Sequence, residues 1–128
     1  MVPSEISAAV LSFIDERIDS VPQLETLLMM KDDPQRIWTV ADVAARTYVP
    51  FAEAARVLEA LHRRALIAPV ETGDGYRIAL GDATLRELVD EVARTYRANL
   101  ARIATIIHEK PPASLMEFAR AFDLKKER

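Results

Sequence analysis

A chain of 128 residues without cysteine has room for one domain with a sizeable core, and it excludes disulfide staples, thiolate metal sites and cysteine nucleophiles. Half of the residues are hydrophobic, 29% are charged and few are aromatic, a balance that favours a soluble helical protein. The net charge of −3 excludes a surface uniformly attractive to phosphate.

That charge is unevenly spread. Residues 1–35 carry two basic and seven acidic side chains, whereas residues 36–80 carry six and five and residues 81–128 nine and eight. No apolar run approaches the roughly 18 residues needed to span a bilayer. Ile6 to Ile14 is short and follows Glu5 without a basic lead-in. A cytoplasmic protein with no signal peptide and no membrane contact is therefore expected.

Ser4 is a ready cap for a first helix, in which Ile6, Val10, Phe13, Ile14 and Ile18 return at helical spacing. Ser20-Val21-Pro22-Gln23 opens a second: serine caps, proline is tolerated in the first turn, and Gln23 stands where a capping box has its reciprocal partner. Leu24, Leu27, Leu28 and Met29 supply its buried face, and Pro34 ends it. Met29-Met30 could form an adaptable binding surface, although core packing is the commoner use of such a pair.

Arg36-Ile37-Trp38 is a short β-like run. Thr39 then forms a capping box with Asp42, and Val40, Val43 and Ala44 are the buried side of a short third helix. Thr47-Tyr48-Val49 makes a turn, and Pro50 suits the first position of a fourth helix. A hairpin follows: Leu66 to Val70, a turn over Thr72-Gly73-Asp74-Gly75, and a return strand from Tyr76 to Leu80. Asp-Gly between apolar runs is a strong hairpin signal, and it accounts for the spacing of the two glycines without a phosphate loop.

From Asp82 to Lys110 one helical pattern runs without a breaker and stops at Pro111-Pro112. Leu85, Val89, Val92, Tyr96, Asn99, Ile103 and Ile106 form a heptad-like seam along it. A continuous helix of that span is about 42 Å long, which outreaches a compact module of this size. The expectation is therefore dimerisation through Leu85, Val89, Val92, Tyr96, Ile103 and Ile106, with an intrachain core as the other use of the seam. A final segment, Ser114 to Leu124, repeats apolar residues at helical spacing before a charged tail.

Turned at about 100° per residue, the stretch Pro50–Arg64 gathers Ala54, Leu58 and Leu61 on a core side, together with Ala65 and flanked by Phe51 and Val57. The opposite side carries Ala52, Glu53, Arg56, Ala60 and Arg63, with Glu59 at its edge. In a major groove, Arg56 and Arg63 are the side chains best aimed at guanine edges or phosphates. They can equally be solvated helix arginines. Thr47, Tyr48, Arg46 and Arg64 lie nearby in sequence. Arg77 suits a minor-groove contact from the hairpin or a cross-strand pairing with Glu71. His62 and His108 have no spaced acidic partner, so no enzyme, metal or cofactor is expected.

The order of elements resembles that of the MarR-like and PadR-like winged-helix regulators of bacteria. The residues that carry the resemblance are T39-V-A-D-V-A, then V57-L-E-A-L-H-R-R-A-L-I, then the hairpin V70-E-T-G-D-G-Y-R-I. A glycine usually stands before the Leu-Ile pair in such modules, and here it is Ala65. The resemblance covers residues 20–80 and implies a fold that is mainly α with a small β-wing. That fold is a winged helix-turn-helix with an added N-terminal helix and long C-terminal helices.

The expected organisation is an N-terminal amphipathic helix over 1–19, the winged module over 20–81, and a C-terminal dimerisation region over 82–128. The expected function is a homodimeric transcriptional regulator that binds double-stranded DNA through Thr47, Tyr48, Arg56, Arg63, Arg64 and Arg77. The alternative is a winged-helix module that binds a protein partner and no DNA.

Overall fold

The computed structural model describes residues 5–71 and 73–111. Among them are six helices and one two-stranded antiparallel sheet, so the chain is mainly α with a small β element. None of these helices is long and apolar enough to cross a membrane.

Helix α1 runs Ala8–Arg17 and is capped by Ser7, whose Oγ accepts from the Val10 N–H at 3.2 Å and donates to Glu91 at 2.8 Å. The cap expected at Ser4 lies outside the described residues. Helix α2, Val21–Asp32, starts at Ser20 with Pro22 in its first turn, as its sequence predicts. Gln23 reaches back one residue further than a reciprocal box requires, its Oε1 accepting from the Asp19 N–H at 2.9 Å. Met30 is fully buried and Met29 only half-buried, so the methionine pair is mainly core.

Helix α3, Val40–Thr47, opens with the complete capping box. The Thr39 N–H donates to Asp42 at 3.0 Å, and the Asp42 N–H donates to the Thr39 hydroxyl at 3.1 Å. These bonds hold the Asp42 carboxyl below its ordinary range, the backbone N–H of Thr39 contributing most. Helix α4, Phe51–Arg63, follows after a turn centred on Tyr48, with Pro50 just outside the helix as its N-cap. It packs against α3 and α2 through Ala54, Val57, Leu58 and Leu61.

Strands β1 (Ile67–Pro69) and β2 (Tyr76–Ile78) pair with Ile67 opposite Ile78 and Pro69 opposite Tyr76. The expected strand at 36–38 contributes one bridge only: Trp38 and Tyr76 exchange both backbone hydrogen bonds, at 2.8 and 2.9 Å. Gly75 permits this approach. A Cβ there would stand 2.6 Å from Ile37 Cγ2 and 3.1 Å from the Trp38 carbonyl oxygen.

The expected single helix over 82–110 is two. Helix α5, Ala83–Ala98, and helix α6, Leu100–His108, are divided by Asn99 at φ −140° and ψ 45°. The Asn99 Nδ2 donates to the Thr95 carbonyl at 3.0 Å, the kind of side-chain-to-backbone bond that competes with helical continuation. The break lets α5 pack on α1 while α6 packs on α2. Consequently Val89, Val92, Tyr96 and Ile103 are buried inside one chain, with Leu85 and Ile106 packed against the same core. The seam thus serves as an intrachain core, against the chain's own first two helices.

The far end of α6 is tied to the end of α1. Lys110 Nζ donates to the carbonyls of Ile14 (2.8 Å), Asp15 (2.9 Å) and Ile18, at the C-terminus of α1 where helix carbonyls need donor partners from outside. Burial holds this ammonium below the usual lysine range, opposed by the pull of Asp19 and Asp15.

Candidate nucleic-acid interface

Helix α4 has its back in the core, so the chemistry it can offer lies on what remains. Ala52, Arg56, Glu59 and Arg63 fall on one outward line and all four are exposed. Glu59 and Arg63 form an i,i+4 pair at 3.8 Å, with both side chains largely in solvent. Such a pair contributes little to stability and neutralises its own stretch of surface. Arg56 has no carboxylate partner among the described residues and is the uncompensated cation of the line.

Two expected members of the outward side belong elsewhere. Ala60 is 4% exposed and forms part of the packed side. Glu53 sits on that same flank, half-buried, which removes one of the two acids from the outward line. The outward surface is therefore less acidic than the helical projection implies.

Phe51 departs furthest from expectation. Its ring was expected beside the core and is 63% exposed, at the first residue of α4. It borders an open hollow of about 620 Å³ between α4 and the hairpin, whose wall includes Val40, Pro69, Val70 and Tyr76. Tyr48, three residues earlier, is 93% exposed. The backbone holds Tyr48 at φ 58°, in the left-handed region that β-carbons disfavour. The signal for Phe51 was its place one step off the Ala54–Leu58–Leu61 line. Its apolarity outweighed that position.

The remaining expected residues divide. Thr47 Oγ1 donates to the Val43 carbonyl at 2.7 Å, so its proton is engaged within its own helix. Arg46 is exposed and its guanidinium stands 5.7 Å from the ring of buried Trp38, while Arg36 stacks on that ring at 3.8 Å. Arg64 turns away from Arg56 and Arg63: it bonds Asp19 at 2.9 Å and the Glu16 carbonyl, joining the end of α4 to the end of α1. Asp19 lies 45 residues from Arg64, a separation that no local pattern could reveal.

Arg77 is exposed on β2 opposite Ala68, so the cross-strand partner is Ala68 and not Glu71. It lines a second hollow together with Lys31, Ile78, Arg86 and Asp90. Arg56 and Arg63 thus share the outward line of α4, Tyr48 and Phe51 stand exposed at its N-terminal end, and Arg64 and Arg77 lie elsewhere. His62, exposed near the end of α4, has its ring centroid 6.0 Å from that of Tyr76, which links helix to hairpin.

The exit from α4 explains the Ala65 position. Leu66 N–H bonds the Leu61 carbonyl at 3.1 Å and Ala65 N–H bonds the His62 carbonyl at 3.0 Å, a complete Schellman closure with Ala65 at φ 61°. Glycine is the residue this geometry favours. Leu66, fully buried just beyond it, and the Arg17 guanidinium on the Arg64 carbonyl at 3.0 Å hold the closure in place.

No family model and no curated protein matches the chain. Among solved structures it is similar to the crystal structure of RV1404 from Mycobacterium tuberculosis, with 22% identity over 94% of this chain and 79% of that one, at a TM-score of 0.50. The likeness is one of overall fold.

Proposed function

We propose that the chain is a winged helix-turn-helix protein that binds double-stranded DNA and regulates transcription as a homodimer, with α4 entering the major groove. The order α3, three-residue turn, α4, hairpin supports the architecture, as does the Trp38 bridge at the free edge of β2. The observation that carries the DNA reading is the N-terminal end of α4. Phe51, Ala52 and Arg56 stand exposed there on a helix whose other side is fixed in the core, with Tyr48 exposed in the turn before it. Arg46 and Arg56 supply positive charge without a carboxylate partner among the described residues. A homodimer would use surfaces outside the α5–α6 seam; on α6, Leu100 is one exposed apolar candidate.

Fluorescence polarisation with duplex fragments at low salt tests this reading. Arg56→Ala is expected to weaken binding and, where the guanidinium meets a phosphate, to reduce the salt slope by about 0.9. Arg63→Ala is expected to have the smaller effect, because Glu59 already neutralises it. Absence of binding, or binding indifferent to both substitutions, sinks the assignment.

A second reading follows from the same aromatics. Tyr48 and Phe51 beside a neutral Glu59–Arg63 pair also suit a protein partner, for which exposed aromatic side chains are common anchors. A stable partner that protects Tyr48 and Phe51 from labelling, with no duplex affinity, would favour it.

A further inference from the structure

The end of α4 that would meet base edges carries no hydroxyl or amide. Going outward from the turn, Phe51 and Ala52 are exposed, Glu53 and Ala55 are half-buried, and Arg56 is the first exposed polar side chain. Phe51 and Ala55 lie one turn apart on the flank toward the hairpin, and Ala52 and Arg56 one turn apart on the outward line. Hydrogen-bond readout therefore starts a full turn into the helix. What precedes it is an apolar surface built around an exposed ring. The major-groove floor offers one apolar group, the C5-methyl of thymine, and side chains such as alanine and phenylalanine are those that contact it.

We propose that this chain recognises thymine through its methyl group. Phe51, supported by Ala52 and Ala55, forms the contact, and Arg56 one turn later bonds an adjacent guanine edge or a phosphate. The proposal rests on the reading that α4 enters the major groove, and it assigns the class of base read there. Three features support DNA as the occupant. Arg56, one turn beyond Ala52, has no carboxylate partner among the described residues and matches the charge of a phosphate backbone. Glu53 is half-buried and stands about 160° around the helix from Phe51. The hollow beside Phe51 leaves the ring open on the hairpin side as well as in front.

Replacement of thymine by deoxyuridine removes the methyl group and leaves base pairing and charge unchanged. Duplexes that bind the full chain would first be selected from a random pool at low salt. Each thymine of the selected site is then replaced singly by deoxyuridine. At one or more positions affinity should fall about fourfold, the effect of one buried methyl group. Phe51→Ala should weaken binding to the thymine site and abolish the difference between thymine and deoxyuridine, with the salt slope unchanged because no phosphate contact is lost. Phe51→Leu, which keeps an apolar contact, should retain much of the discrimination. The exposure of Phe51 makes both variants compatible with the native fold, which circular dichroism would verify.

Two outcomes overturn the proposal and differ in what they leave standing. If duplexes bind in an Arg56-dependent manner but no deoxyuridine substitution matters, thymine reading is wrong while α4 remains the DNA-contacting helix. If no duplex is selected, or if Phe51→Ala instead releases a protein partner, the DNA reading itself fails and thymine recognition with it.

Discussion

Helix α4 lies between two residues that share one unfavourable backbone conformation, Tyr48 before it at φ 58° and Ala65 after it at φ 61°. Neither is glycine, and a left-handed conformation costs an ordinary residue roughly 1–2 kcal/mol. Their surroundings differ. At Ala65 the chain itself supplies the return: a Schellman closure, Leu66 driven into the core, and Arg17 and Arg64 bonding across to neighbouring elements. At Tyr48 the N–H groups of Tyr48 and Val49 both bond the Ala44 carbonyl and Val49 packs against the core, but the Tyr48 side chain itself stands in solvent at 93% exposure. An exposed aromatic held in a left-handed conformation is a candidate contact for a bound partner.

The largest effect separating the two ends should come from Leu66→Ala. Removal of this fully buried side chain should cost about 2–5 kcal/mol and lower the melting temperature sharply. The strain at Ala65 is then left without its return. If stability hardly changes, the packing account of that end is wrong.

A matched pair of glycine substitutions gives the next largest effect. Ala65→Gly and Tyr48→Gly should each stabilise the protein by roughly 0.5–1 kcal/mol, the relief of the left-handed conformation less the entropy that glycine loses on folding. Their effects on DNA should diverge, with Ala65→Gly leaving affinity unchanged and Tyr48→Gly reducing it. Equal binding by both variants would remove the functional distinction between the two ends. Thermal melts and polarisation titrations on the same preparations suffice.

The smallest effect concerns the other end of α3, where the Thr39–Asp42 box is satisfied without strain. The Asp42 carboxyl is held below its ordinary value of 3.8, chiefly by the Thr39 N–H. Because the folded-state value is the lower one, its stabilisation is complete above the unfolded carboxyl range and is lost as pH falls through the folded value. Asp42→Asn should therefore flatten the acid limb of a stability-versus-pH profile and leave pH 7–8 nearly level. An unchanged acid limb would mean that the box contributes nothing there.

Local chemistry was the legible part of this chain. Ser20 and the Thr39–Asp42 box act over three residues, so their partners stand beside them in sequence. Gly73 and Gly75 likewise marked the hairpin. Three features escaped because each is decided by something outside its own segment. Asn99 reads as one more member of an apolar seam, yet its amide captures the Thr95 carbonyl and splits the helix so that both halves reach the core. Arg64 reads as a neighbour of Arg63, but Asp19 draws it to the end of α1. Phe51 reads as core because it is apolar, but it is the first residue of α4 and stands 63% exposed. In the candidate site, Arg56 and Tyr48 lie where their spacing implies, whereas the exposed ring that organises the further inference needed the folded chain.

Lys110 closes contacts to carbonyls 92 to 96 residues earlier in the chain. Bridging such a span carries a large loop-closure entropy, so the contact forms only after the intervening helices have assembled. As the chain is synthesised, the Asp15 carbonyl lacks this donor until residue 110 has emerged, so the first helix made is among the last to be completed. Substitution at Lys110 should accordingly accelerate unfolding and leave the folding rate nearly untouched, the kinetic signature of a late-forming clasp.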